Sequence, residues 1–261
     1  MLLAIDVGNS HTVIGLFEGE NLRGEWRIGT RRERTADEYA LFIGGLLAQS
    51  SLSSAEVTDV IVSSVVPPAL SDLAAMSRQH FHVEPLLMEA GVDTGLPVLV
   101  DNPAEVGADR VVNAVAAFHK YGGPLIVVDF GTATTFDVIS RQGEYIGGAI
   151  CPGIMISLEA LVIRAAKLPK VELIKPKTVI GKSTVANMQS GIINGYAALV
   201  DGLVAKMKAE LPEEPRVVAT GGLASTMACE ATSIDNVDEL LTLDGLRLIY
   251  ERNARQGWSK A

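Results

Sequence analysis

A strand, turn and strand design occurs twice in this chain, and that repeat restricts the possible folds more than any other feature. An apolar run over residues 2–7 ends in Asp6-Val7-Gly8-Asn9-Ser10; a β-rich stretch follows over 12–17, and a third candidate strand over 21–28. About 120 residues later the order returns: an apolar run over 125–129, then Phe130-Gly131-Thr132, a second strand over 134–139 and a third over 144–150. Asp6 aligns with Asp129 and Gly8 with Gly131. Glu18-Gly19-Glu20 and Arg141-Gln142-Gly143 supply the hairpin links in the two copies. Helical periods follow each meander, over 36–49 and 68–79 in the first half and 154–166 in the second. The expectation is an α/β protein of two duplicated β-β-β-α domains with a cleft between them, at residues 1–118 and 119–261, each carrying one phosphate loop.

Composition narrows the class. A net charge of −9 and a pI near 5.0 oppose a phosphodiester backbone, so nucleic acid is excluded as an expected partner. Cys151 and Cys229 stand far apart with no metal-ligand spacing, which fits a reducing, cytoplasmic setting. No apolar run is long enough to serve as a signal core or a membrane span.

The chemistry-bearing residues gather at the repeated turns. In Asp6-Val7-Gly8-Asn9-Ser10, Gly8 allows close approach of an anion, Asn9, Ser10 and Thr12 can donate hydrogen bonds, and Asp6 can hold Mg²⁺ directly or through water. A lone Asp-x-Gly turn is commonly plain hairpin chemistry. The second copy, Asp129-Phe130-Gly131-Thr132, adds weight, since two such loops facing one another would clamp a triphosphate. A strand running into Gly221-Gly222 offers bare backbone to an adenine or a phosphate, or is an ordinary strand-to-helix turn. Asp109 and Arg110 open an amphipathic helix. Either they accept a substrate proton and grip an anion, or the carboxylate simply complements the helix dipole. The longest helical pattern, from 184 to about 211, carries a stripe of small residues, Gly191, Gly195, Ala198 and Gly202, suited to packing within the monomer or to a subunit interface.

At these motifs the chain resembles type III pantothenate kinases, from Asp6 to about Asn253. The resemblance rests on Asp-Val-Gly-Asn-Ser at 6–10, Ser-Ser-Val-Val-Pro at 63–67, Gly-Ala-Asp-Arg at 107–110 and Val-Asp-Phe-Gly-Thr-Ala-Thr-Thr at 128–135. Gly-Gly-Ala-Ile-Cys-Pro-Gly at 147–153, Gly-Lys-Ser-Thr-Val at 181–185 and Met-Gln-Ser-Gly at 188–191 complete it. It implies an actin-like ATPase (ribonuclease H-like) fold, a homodimer, and transfer of the ATP γ-phosphoryl group to pantothenate, the first step towards coenzyme A. It further implies that Asp6, Val7, Gly8, Asn9, Ser10, His11, Thr12, Val13 and Thr132 bind ATP. Val100, Gly107, Ala108, Asp109, Arg110 and Thr184 would bind pantothenate, with Asp109, at an ordinary low pKa, as the catalytic proton acceptor. Asp129 would hold a monovalent cation, K⁺ or NH₄⁺. Val100 and Ala104 depart from the family pattern, which usually has Tyr and Arg there, and Ser10 replaces Thr while keeping the hydroxyl. The rival readings are another actin-like phosphotransferase, such as a sugar kinase or phosphatase, and a non-catalytic nucleotide-binding regulator.

Overall fold

The computed structural model of the chain describes residues 1–256. It divides into two compact units, one made of residues 1–119 with the segment that begins at Leu240, the other of residues 120–239.

In the first unit, β1 (Leu2–Val7), β2 (His11–Glu18) and β3 (Asn21–Gly29) form the antiparallel meander, while β4 (Asp59–Ser64) and β5 (Leu86–Leu87) add parallel to β1, giving the order β3-β2-β1-β4-β5. Burial explains the composition of these strands. Central β1 is covered on both faces and is almost wholly apolar, whereas edge strand β3 alternates exposed and half-buried residues. Leu3, Ile5 and Val7 point to one face, where α1 (Ala36–Gln49) and α2 (Pro67–Met76) bury Tyr39, Ile43, Leu47 and Leu73. The start of α1 is fixed by a capping box between Thr35 and Glu38, a device contributing about 1 kcal/mol. The second helical stretch continues past Met76 as a π-helical turn, Ser77–Phe81, two residues beyond its expected end at 79. Next comes α3 (Ala108–Tyr121).

The second unit repeats the plan. β6 (Leu125–Phe130), β7 (Ala133–Ile139) and β8 (Tyr145–Pro152) form its meander, and β9 (Arg216–Thr220) and β10 (Asn236–Val237) add parallel strands in the order β10-β9-β6-β7-β8. Even the irregularity is duplicated, because the pairing of second and third strands slips at Leu16/Phe17 and at Val138/Ile139. α4 (Ile154–Arg164), α5 (Thr184–Glu210) and α6 (Ala224–Ala228) follow, with α5 packing Tyr196, Val200 and Val204 onto Ile126, Val128 and Phe136.

The last helix, α7 (Leu241–Arg255), corrects the expected boundary, since it packs in the first unit and not with the segment before it. Leu243, Leu246 and Ile249 are buried with Leu2, Ala4, Phe17, Ile61 and Val112 on the face of the first sheet opposite α1 and α2. Gly245 lies so close to Val112 of α3 that a Cβ there would meet its carbonyl. Tyr250 Oη donates to Asp59 Oδ1 at 2.5 Å, and Asn253 exchanges hydrogen bonds with the Asp93 backbone at 2.9 and 3.2 Å. Residues 257–261, the end of the expected second half, lie outside the described residues.

Candidate active site

Each unit presents its turn at the carboxyl end of its central strand. The Gly8 N–H donates to His11 O at 3.0 Å and the Gly131 N–H donates to Ala133 O at 3.0 Å, so both turns close in the same way. They differ in length. Four residues separate the pair Val7 and Thr12, and three separate Phe130 and Thr134. Asn9, Ser10 and His11 are exposed and Val13 is half-buried, while Val7 is fully buried and presents only its backbone.

Thr12 departs from the expectation of a ligand-facing donor. Its side chain is completely buried, with Oγ1 3.0 Å from Thr30 Oγ1. Thr30 in turn donates from Oγ1 to Gly8 O at 2.8 Å and from its backbone N–H to Ser10 O at 3.0 Å. The sequence reading missed Thr30. Its signal was positional: the meander pairs His11 with Gly29, so the next residue must land beside the turn.

Asp6 and Asp109 share one face and one end of the first unit. Successive side chains alternate across β1, so Asp6 falls on the side of Leu2 and Ala4, where Val112 of α3 also packs. At its far end α3 places Phe118 and His119 in a cavity with Glu20, the tip of the hairpin remote from Gly8. The start of α3 therefore points towards the Asp-x-Gly turn end of β1. There the Asp109 carboxylate accepts from the Arg110 backbone N–H at 2.9 Å.

Burial pushes the Asp109 carboxyl above its ordinary range, only partly offset by the Arg110 N–H and guanidinium. The expected ordinary low pKa is thus corrected, because a helix start helps a carboxylate less than desolvation harms it here. Gly107, Ala108 and Arg110 flank it, half-buried. Val100 is half-buried in the irregular segment before the 3₁₀ turn Pro103–Glu105, and Ala104 is exposed.

In the second unit, two glycines lie against the Asp129 carboxylate. A Cβ on Gly221, whose φ is +92°, would collide with Asp129 Oδ1, and one on Gly131 would stand 3.5 Å from the same oxygen. Thr132 is pinned from behind, since its carbonyl accepts from the Gly153 N–H at 3.1 Å. Thr184 is the exposed first residue of α5, whose N-cap Ser183 accepts from the Ala186 N–H at 3.2 Å.

The small-residue stripe of α5 is exposed, and nothing described lies within 4 Å of a Cβ at Gly191, Gly195 or Gly202. Among the described residues, no group of three or more His, Cys, Asp or Glu is placed to hold a metal, and no helix is long and apolar enough to cross a membrane.

Two five-stranded sheets of one topology, each with an Asp-x-Gly turn at the end of its central strand, define the actin-like ATPase fold class. Solved structures share the fold: a Campylobacter jejuni protein described as a Baf family transcriptional activator matches with a TM-score of 0.62 at 19% identity, covering 97% of this chain and 99% of that one. Component A of the Acidaminococcus fermentans (R)-2-hydroxyglutaryl-CoA dehydratase matches with a TM-score of 0.52 at 14% identity, covering 97% and 98%. The chain belongs to the type III pantothenate kinase family, whose model matches residues 2–206. Proteins named type III pantothenate kinase from Syntrophus aciditrophicus and an Anaeromyxobacter strain are 56% and 58% identical to it. Each alignment covers 97% of this chain and 100% of the relative.

Proposed function

We propose that this enzyme transfers the γ-phosphoryl group of ATP to the primary hydroxyl of pantothenate, giving 4′-phosphopantothenate on the way to coenzyme A. Family membership over nearly the whole chain carries the reading. The geometry of Asp109 supplies its chemistry. In the reaction the pantothenate oxygen bonds to γ-phosphorus, the bond to the β,γ-bridging oxygen breaks, ADP leaves, and the hydroxyl proton passes to Asp109. A carboxylate made more basic by burial suits that last task. Arg110, beside it, offers a guanidinium to the pantothenate carboxylate, with Gly107, Ala108, Val100 and Thr184 as further substrate contacts.

Around ATP, the reading assigns the backbone of Asp6 to Val13, the side chains of Asn9 and Ser10, and Thr132. Asp6 would hold Mg²⁺ through water. Asp129 would hold K⁺ or NH₄⁺, and the glycines at 131 and 221 keep side chains away from its Oδ1. Such a cation would offset the Asp129 charge near phosphate.

The enzyme is further read as a cytoplasmic homodimer. Its exposed α5 stripe supports the dimer, together with exposed Ile163, Val179 and Ile180 in the same unit. Incubation with ATP, Mg²⁺, K⁺ and pantothenate, followed by mass spectrometry, tests the activity. The expected product is 4′-phosphopantothenate; ATP hydrolysis that ignores pantothenate would sink the reading.

A further inference from the structure

The two turns are held in different ways, and the difference singles out Thr30. Its counterpart in the second unit is Gly153, because each follows the third strand of its meander and donates its backbone N–H to the turn, Thr30 to Ser10 O and Gly153 to Thr132 O. The side chains diverge. A Cβ on Gly153 would collide with Thr132 O, so the shorter turn admits no side chain behind it.

Behind the longer first turn the Thr30 hydroxyl fits and donates to Gly8 O at 2.8 Å. A hydroxyl has one proton, so the 3.0 Å contact between Thr12 and Thr30 must carry the Thr12 proton to the Thr30 oxygen. A directed chain results, from Thr12 through Thr30 to the Gly8 carbonyl. Thr134, which corresponds to Thr12, shows what is missing in the second unit: its Oγ1 is buried with no hydrogen-bond partner.

We infer that Thr30 is a positioning residue for the ATP phosphates, acting through the first turn. Its hydroxyl and N–H occupy the carbonyls of Gly8 and Ser10 from behind. The carbonyl dipoles are thereby held away from an incoming anion, and the exposed residues Asn9, Ser10 and His11 are left facing it. An unbraced turn of this length could rotate a carbonyl towards phosphate, an unfavourable encounter between like partial charges. The second turn, one residue shorter and packed against Gly153, has no such freedom.

This inference rests on the ATP-dependent reading above. The test is steady-state kinetics of Thr30→Val and Thr30→Ser in the full chain, with ATP and pantothenate varied separately. Loss of the hydroxyl should raise KM for ATP by about 5- to 30-fold, the scale of one hydrogen bond to a buried partner, and leave KM for pantothenate within about twofold. Thr30→Ser should restore the wild-type value.

An unchanged ATP KM in folded Thr30→Val overturns the inference, as does an equal rise in both KM values or a serine variant as impaired as valine. If Thr30→Val does not fold, Thr12→Val decides. It removes only the outer link, so a smaller rise confined to ATP supports the chain and no rise overturns it. Calorimetric ATP binding without pantothenate separates the two readings, because loss of ATP affinity in Thr30→Val supports the brace even where wild type fails to phosphorylate pantothenate.

Discussion

The Asp109 carboxylate folds back over Gly107, with Oδ1 only 2.5 Å from the point that a Cβ on Gly107 would occupy. The side chain can take that rotamer, and receive the Arg110 N–H, only because residue 107 has no side chain. Gly107→Ala should therefore displace the carboxylate without unfolding α3, since the clash is with the end of a side chain. Asp109→Asn keeps the shape and removes the base. Both variants should lose about 10²- to 10⁴-fold in kcat, the scale of general-base catalysis, with ATP affinity nearly unchanged. Retention of more than half the wild-type turnover by Asp109→Asn would show that another group takes the proton.

Burial of Asp109 makes a second, opposite statement about stability. The folded-state pKa lies above the unfolded one, so the folded protein binds this proton more tightly. The resulting stabilisation is complete below the unfolded pKa and is lost as pH rises through the folded value. At neutral pH the ionised carboxylate is then a net burden, and Asp109→Asn should have a Tm equal to or above that of wild type. The acid limb of kcat should lie above the ordinary carboxylate range. A clearly lower Tm in the variant at pH 7, together with an acid limb at an unperturbed carboxylate pKa, would refute the account.

Asp129 and Gly221 test the monovalent cation. Because a Cβ at position 221 would run into Asp129 Oδ1 and the Phe130 backbone, and φ there is +92°, Gly221→Ala should both strain the turn and crowd the carboxylate. Activity should depend on K⁺ or NH₄⁺ in wild type, and Asp129→Asn should remove that dependence. Equal rates with K⁺ and with a bulky organic cation as the sole monovalent ion would eliminate the role.

The exposed α5 stripe bears on assembly. Gly195→Leu meets nothing described within its own chain, so the monomer should fold with its secondary structure intact. At a helix-to-helix subunit contact, however, the added side chain would overfill the interface by about 1–3 kcal/mol. Sedimentation should show a folded monomer where wild type is a dimer. An unchanged dimer places the interface elsewhere.

The residues of the chain already specified the meanders, their two Asp-x-Gly turns and the helices that follow, because alternation and the 3.6-residue period are local consequences of burying one face. The helical period over 36–49 matched α1 to the residue, and in the structure a Thr35–Glu38 capping box fixes its start. Three matters depended on tertiary structure. The helix carrying Leu243, Leu246 and Ile249 was not among the expected elements, and packing against Ala4 and Phe17 gave it to the first unit. Thr12 and Thr30 are 18 residues apart, so their contact follows from strand register and not from any spacing motif. The Asp109 pKa departs from its helix-start expectation because desolvation is a sum over every group packed around a carboxyl, and a sequence names only its neighbours along the chain.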